Sequence, residues 1–191
     1  GGDDGALAGG YVSDRRLLRV RRLLQACAAA HGRGAVDAVD CAAVLPHTLW
    51  SEPAEVPRLA EWVEGAVVPD GGAAQLRYLL DSLADRLEDF VGSLEDEGTA
   101  AGEEAGAIAA EAEALAEAAE AAAAEMRGHA AAVAGSASHL FLERDAAIRL
   151  KQRLAPICAE REAALGEVAA AAAAMRDALR DGDVAAALRH A

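Results

Sequence analysis

Residues 103–135 read EEAGAIAAEAEALAEAAEAAAAEMRGHAAAVAG, a stretch built almost wholly from alanine, glutamate and glycine. Alanine has the highest helix propensity of all residues, so the stretch predicts a long helix. In water such a helix is marginal unless a face of it packs on something. Gly128 and Gly135 weaken it further, by about 1 kcal/mol each relative to alanine. The segment holds nothing from which catalysis could be built. It needs a neighbour to lie against.

The apolar residues on either side repeat at helical spacing. Within the stretch, Ile108, Ala112, Leu115, Ala119, Ala122, Met126 and Val133 form a heptad seam of mostly small residues. Gly135, Ser136, Ala137 and Ser138 read as a turn that reverses the chain. A second helical region is expected over 140–179, with Leu150, Leu154, Cys158, Leu165, Val168, Ala172, Met175 and Leu179 along its seam. Pro156 lies inside it and is expected to kink or split it. Before the alanine stretch, Leu76, Leu80, Leu83, Leu87, Phe90 or Val91, and Leu94 recur at steps of four and three. They give a heptad helix from about residue 73 to 94, after the turn signal Pro69-Asp70-Gly71-Gly72.

The large apolar residues concentrate before residue 95, so a compact core is expected there. Ser13 is a natural N-cap for a helix from Asp14 to about Ala30. A second helix is expected from Val36 to Val44, ended by Pro46. Residues 46–57 hold three of the five prolines and read as an irregular connection pinned by a buried Trp50. Pro57 opens a third helix to Ala66, with Leu59, Trp62, Val63 and Ala66 on one face and Trp62 in the core. The expected fold class is all-α: a small helical head followed by an elongated helical hairpin or coiled coil. Its expected divisions are a tail at 1–10, the head at 11–95, a glycine-rich break at 96–102, the alanine- and glutamate-rich part at 103–180, and a short terminal helix at 181–191.

Composition narrows the function. The formal net charge is −14, from 32 acidic and 18 basic residues among 191. Nucleic-acid affinity comes largely from neutralising phosphates, so no direct nucleic-acid partner is expected. Glu103, Glu104, Glu111, Glu113, Glu117, Glu120 and Glu125 form an acidic helix face with no base among them. Arg15, Arg16, Arg19, Arg21 and Arg22 make the first helix basic. The apolar run from Val168 to Met175 is too short for a membrane span. Three cysteines at unpatterned spacing suggest reduced thiols and an intracellular, cytoplasmic setting.

Candidate chemistry is sparse. Cys27-x-x-x-His31 shares a helical face, and Cys41 and His47 follow, but this spacing matches no zinc-finger pattern. The two cysteines are read as small buried apolar residues, and neither metal nor cofactor is expected. His129, His139 and His190 read as isolated surface or seam residues. No Ser–His–acid grouping and no glycine-rich phosphate loop stands out. No enzyme activity is expected.

Leu59-Ala60-Glu61-Trp62-Val63, followed by Val67, Val68, Pro69-Asp70 and a new helix at Ala73, resembles part of the head of augmin subunit 3. The order of a small helical head and then heptads is also similar to the calponin-homology-like heads of microtubule and ciliary coiled-coil proteins. The resemblance implies a subunit of a microtubule- or cytoskeleton-associated assembly, joined to other helical or coiled-coil chains as a hetero-oligomer. Leu80, Leu83, Leu87, Leu94, Leu115, Leu154, Leu165 and Leu179 are the expected partner contacts, and the chain alone is expected to be poorly ordered beyond residue 100. The alternative is a self-contained helical-bundle binding module with a pocket near Trp50 and Trp62.

Overall fold

The structure, a computed structural model, describes residues 12–93, 101–135 and 139–190. Among them are seven α-helices and no β-strand, so the chain is all-α. They are α1 (Asp14–Ala30), α2 (Ala38–Leu49), α3 (Val56–Val67), α4 (Ala73–Ser93), α5 (Ala101–Gly135), α6 (Arg144–Arg180) and α7 (Val184–His190), with a 3-10 turn at Pro53–Glu55 before α3. The expected tail at 1–10, residue Leu94 and the turn at Ser136–Ser138 lie outside the described residues.

Two compact units form, and neither is continuous in sequence. The first takes residues up to Val68 together with His129–Ile157. The second takes Pro69–Gly128 together with Cys158–Ala191. The chain passes from the first unit to the second at Val68/Pro69, where it turns. There the Asp70 Oδ1 accepts the Gly72 N–H at 3.0 Å, and Gly71 and Gly72 both adopt left-handed backbone, at φ +65° and +74°.

In the first unit, α1, α2 and α3 are consecutive neighbours. Ser13 caps α1 as expected, its Oγ accepting the Arg16 N–H at 3.3 Å. Val20 and Cys27 of α1, Val39 and Val44 of α2, and Leu59 and Val63 of α3 are buried, as are Leu150 and Leu154 of α6. Pro46 does not end α2. The helix runs one turn further, with Pro46 buried and the Thr48 hydroxyl donating to the carbonyl of Val44. Trp62 is not a core residue. The buried face of α3 is set by Leu59 and Val63, and Trp62 sits about 100° round from Val63, 52% exposed. Trp50 is half-buried and caps the end of α2, with its indole N–H on the His47 carbonyl at 2.8 Å.

In the second unit α4, α5, α6 and α7 share one apolar core. Leu80, Leu83, Leu87 and Phe90 of α4 meet Ile108, Ala112, Leu115 and Ala119 of α5, Val168, Ala172, Met175 and Leu179 of α6, and Ala187 of α7. Arg127 pairs with Glu162 and Arg180 with Glu113, so α5 and α6 run antiparallel here. Arg86 of α4 reaches Glu104 and Glu111 of α5 at 2.7 Å each. Small residues on α5 are matched by leucines from α4, so the lean seam is filled from within the chain. Pro156 does not split α6, which runs unbroken from Arg144 to Arg180 with Leu154 and Cys158 fully buried on either side. Burial on both sides outweighs the one missing helical hydrogen bond.

Candidate functional site

The chemistry of the first unit gathers at the end of α1. Gly32 takes left-handed backbone (φ +73°) just past the helix. Its N–H bonds the Ala29 carbonyl at 2.9 Å and the Arg33 N–H bonds that of Ala28 at 2.9 Å, the paired ending that a C′ glycine permits. This turn places His31 one helical turn beyond Cys27 and swings Arg33 back toward α2. The start of α2 is a capping box: Asp37 Oδ1 accepts the Asp40 N–H at 2.9 Å, and Asp40 Oδ2 accepts the Asp37 N–H at 3.1 Å. Asp40 is thereby fixed facing α1.

The short turn from His139 to Leu142, closed by a single antiparallel bridge, brings in the fourth group. His139 is buried at 4% exposure, and its Nε2 lies 3.2 Å from Asp40 Oδ1. Cys27 Sγ lies 3.4 Å from both of these atoms. The His31 ring stacks obliquely on that of His139 at 5.1 Å, and its Nε2 accepts the Leu140 N–H at 3.2 Å. One ligand atom from each of Cys27, His31, Asp40 and His139 lies within 4.8 Å of the others.

Electrostatics organise the cluster. Arg33 forks onto both oxygens of Asp40 and also meets Asp37 at 2.6 Å. Burial alone would raise the Asp40 pKa, but the Arg33 guanidinium, the Asp37 N–H and the Cys27 thiol together hold it at about 2. Burial, with the neighbouring Asp40 carboxylate, pushes the Cys27 thiol up to about 11. Burial lowers the pKa of His139 in spite of its bond to Asp40. The metal-free cluster therefore holds a neutral thiol, a neutral imidazole and a carboxylate balanced by Arg33. Nδ1 of His139 accepts the Phe141 N–H at 3.3 Å, which leaves the ring proton on Nε2, directed at Asp40.

Of the four ligand candidates noted in the sequence, the fold brings together Cys27 and His31 and leaves out Cys41 and His47. Cys41 is half-buried, and burial raises its pKa to about 11. His47 is exposed and lines a groove of about 300 Å³ with Leu23, Ala43, Val44, Thr48 and Phe141. Neither Trp50 nor Trp62 lines that groove. Asp40 and His139 were not singled out as ligands. The capping pattern Asp37-x-x-Asp40 signals a helix start and gives no hint of a ligand. His139 stands 99 residues from its partner Asp40, beyond the reach of any local spacing rule.

Of the leucines expected to contact partners, the seven among the described residues are buried within the chain. Leu80, Leu83, Leu87, Leu115, Leu165 and Leu179 lie in the second unit and Leu154 in the first. No described helix is long and apolar enough to cross a membrane.

Residues 6–63 match the AAA lid domain family. The match covers less than half of the chain and takes in α1, α2 and α3 as far as Val63, that is, Cys27, His31 and Asp40 but not His139. No curated protein and no solved structure matches the chain.

Proposed function

We propose that this chain is a non-catalytic helical module of a multi-protein assembly, and that its first unit acts as a lid on an AAA-type ATPase. One observation carries the reading: the family match over residues 6–63 spans the helices α1, α2 and α3 that pack together in the first unit. The chain's own sequence offers no glycine-rich loop ending in Lys-Ser/Thr. In this reading the nucleotide site therefore lies outside these 191 residues, on the same polypeptide or another. The basic face of α1, with Arg15, Arg19, Arg21 and Arg22 exposed, suits docking on an acidic neighbour.

The microtubule-scaffold reading shares the non-catalytic helical module and differs in the partner. Its distinctive residues, Leu59 to Val63, fall inside the lid match, and Trp62 lies off the packed face of α3. We therefore favour the lid.

The test is purification of the tagged protein from its native source under mild conditions, followed by ATP hydrolysis assays and photolabelling with azido-ATP. An AAA-type polypeptide that is labelled and stoichiometric with this chain is the expected result. A preparation that neither labels nor hydrolyses ATP, yet co-sediments with microtubules, would overturn the lid reading in favour of the scaffold.

A further inference from the structure

From this geometry we propose that Cys27, His31, Asp40 and His139 form a zinc site that fastens the 139–142 turn to the α1–α2 corner. The proposal depends only on the geometry of the first unit, and it stands or falls separately from the lid reading.

Distance is the first argument. Zinc bonded tetrahedrally to sulfur, nitrogen and oxygen at its usual lengths sets ligand atoms about 3.4–3.6 Å apart. The triangle of Cys27 Sγ, Asp40 Oδ1 and His139 Nε2 has edges of 3.4, 3.4 and 3.2 Å. An ion can enter with shifts of a few tenths of an ångström. His31, within reach of all three, completes the set. Its Nε2 accepts the Leu140 N–H in the metal-free protein. A neutral imidazole that binds the ion through either nitrogen has no acceptor left, so His31 gives up that bond on loading.

Ligand chemistry is the second. One thiolate, two imidazoles and one carboxylate form a set that suits zinc and disfavours magnesium or calcium, which prefer all-oxygen shells. The charges close as well. Thiolate and carboxylate supply two negative charges against the two positive charges of the ion, while Arg33 stays neutralised by Asp37. Buried charge is costly unless balanced in this way.

Support from outside the ligand shell is the third. Zinc-binding carboxylates and imidazoles are ordinarily held by an outer layer of hydrogen bonds. Asp40 is held by the Arg33 fork and the Asp37 N–H. Cys27 lies in the last turn of α1 and His31, four residues on, caps its C-terminus, so the helix end presents both to one point.

On binding, the Cys27 S–H bond breaks and its proton passes to solvent as the sulfur–zinc bond forms. Asp40 is already ionised. His139 gives up its Nε2 proton and takes one on Nδ1, with no net change, which exchanges away the bond from the Phe141 N–H. The metal-free protein fills the same positions with protons, and this is why the distances also suit hydrogen bonds.

The experiment loads the full chain with zinc, removes loose metal by desalting and counts zinc per chain by mass spectrometry. Cobalt(II) serves as the spectroscopic probe. The expected result is one zinc per chain, thiolate-to-cobalt charge-transfer absorption, and loss of both in Cys27→Ser and His139→Gln. Cys41→Ser and His47→Gln should keep both. Arg33→Met should weaken zinc binding about 10–100-fold, the usual effect of losing an outer-layer partner. Side-chain nitrogen NMR should move the His139 proton from Nε2 to Nδ1 on loading. Circular dichroism checks that each variant is folded. A wild-type chain that shows no thiolate-to-cobalt band overturns the proposal whatever the variants do, as does zinc retained equally in Cys27→Ser.

Discussion

Arg33 lies 2.7 and 2.6 Å from the two oxygens of Asp40, a two-pronged pair whose acidic member is entirely buried. Removing the arginine would leave a carboxylate stranded away from water. Arg33→Met should destabilise the first unit by about 3 kcal/mol, the lower end of the range for breaking a buried pair, because Arg33 is itself partly exposed. The double variant Arg33→Met with Asp40→Leu should recover much of the loss. Urea denaturation of the three proteins checks the order, and a single variant as stable as wild type would show that the pair holds nothing together.

Acid should unfold the metal-free protein in two steps. His139 has its pKa lowered by burial, so between the unfolded imidazole value of about 6.5 and its own lower value the unfolded chain binds the extra proton. Stability is whole above that window and falls as pH drops through it. Asp40, at about 2 against 3.8, likewise contributes above 3.8 and is lost as pH falls toward 2, by about 2 kcal/mol. Denaturation curves collected in EDTA from pH 7 to 3 should show the first loss in wild type and not in His139→Gln.

Gly71→Ala should cost more than Gly72→Ala. Both glycines hold positive φ, so each alanine carries a backbone penalty of about 1–2 kcal/mol. At Gly71 the new Cβ would also stand 2.9 Å from Cδ1 of Leu165, whereas at Gly72 it meets open space. Leu165 is fully buried and has little room to retreat. Thermal melts of the two variants check the ranking, and equal melting temperatures would refute it.

Leu87→Ala and Met175→Ala should each cost about 2–5 kcal/mol, because both side chains are fully buried in the core of the second unit. The loss should be the same across a hundredfold range of protein concentration. A seam that is completed by another chain instead gives stability that rises with concentration. Tyr78→Ala, on the exposed side of α4, should change little.

The helices were legible in the sequence because their apolar residues keep a 3.6-residue period. Ser13 announced the start of α1, and the Pro69–Gly72 turn announced the start of α4. Two prolines misled, since Pro46 is itself buried in α2 and Pro156 sits between the buried Leu154 and Cys158 of α6, and no local rule can weigh such burial. Trp62 misled because bulk suggested a core position, while the phase of Leu59 and Val63 fixes the buried face. Half of the cluster, Cys27 and His31, was visible as a pair on one helix face. Asp40 was hidden behind its capping role. His139 could be joined to them only by a fold that returns the chain after two long helices. The leucines of α4 that cover the lean seam of α5 could not be read from the seam itself, because heptad spacing does not say which helix lies against it.

The contact between Cys27 and His139 spans 112 positions. Such a long closure carries an entropic cost that must be met before its contacts can reward it. During synthesis, α1, α2 and α3 leave the ribosome well before the residues that finish their unit, and they wait as an incomplete body while α4 and α5 are made. A nascent chain stalled near residue 95 would therefore present Cys27, His31 and Asp40 without His139, and protease sensitivity at that stage should vanish only once residue 157 has emerged.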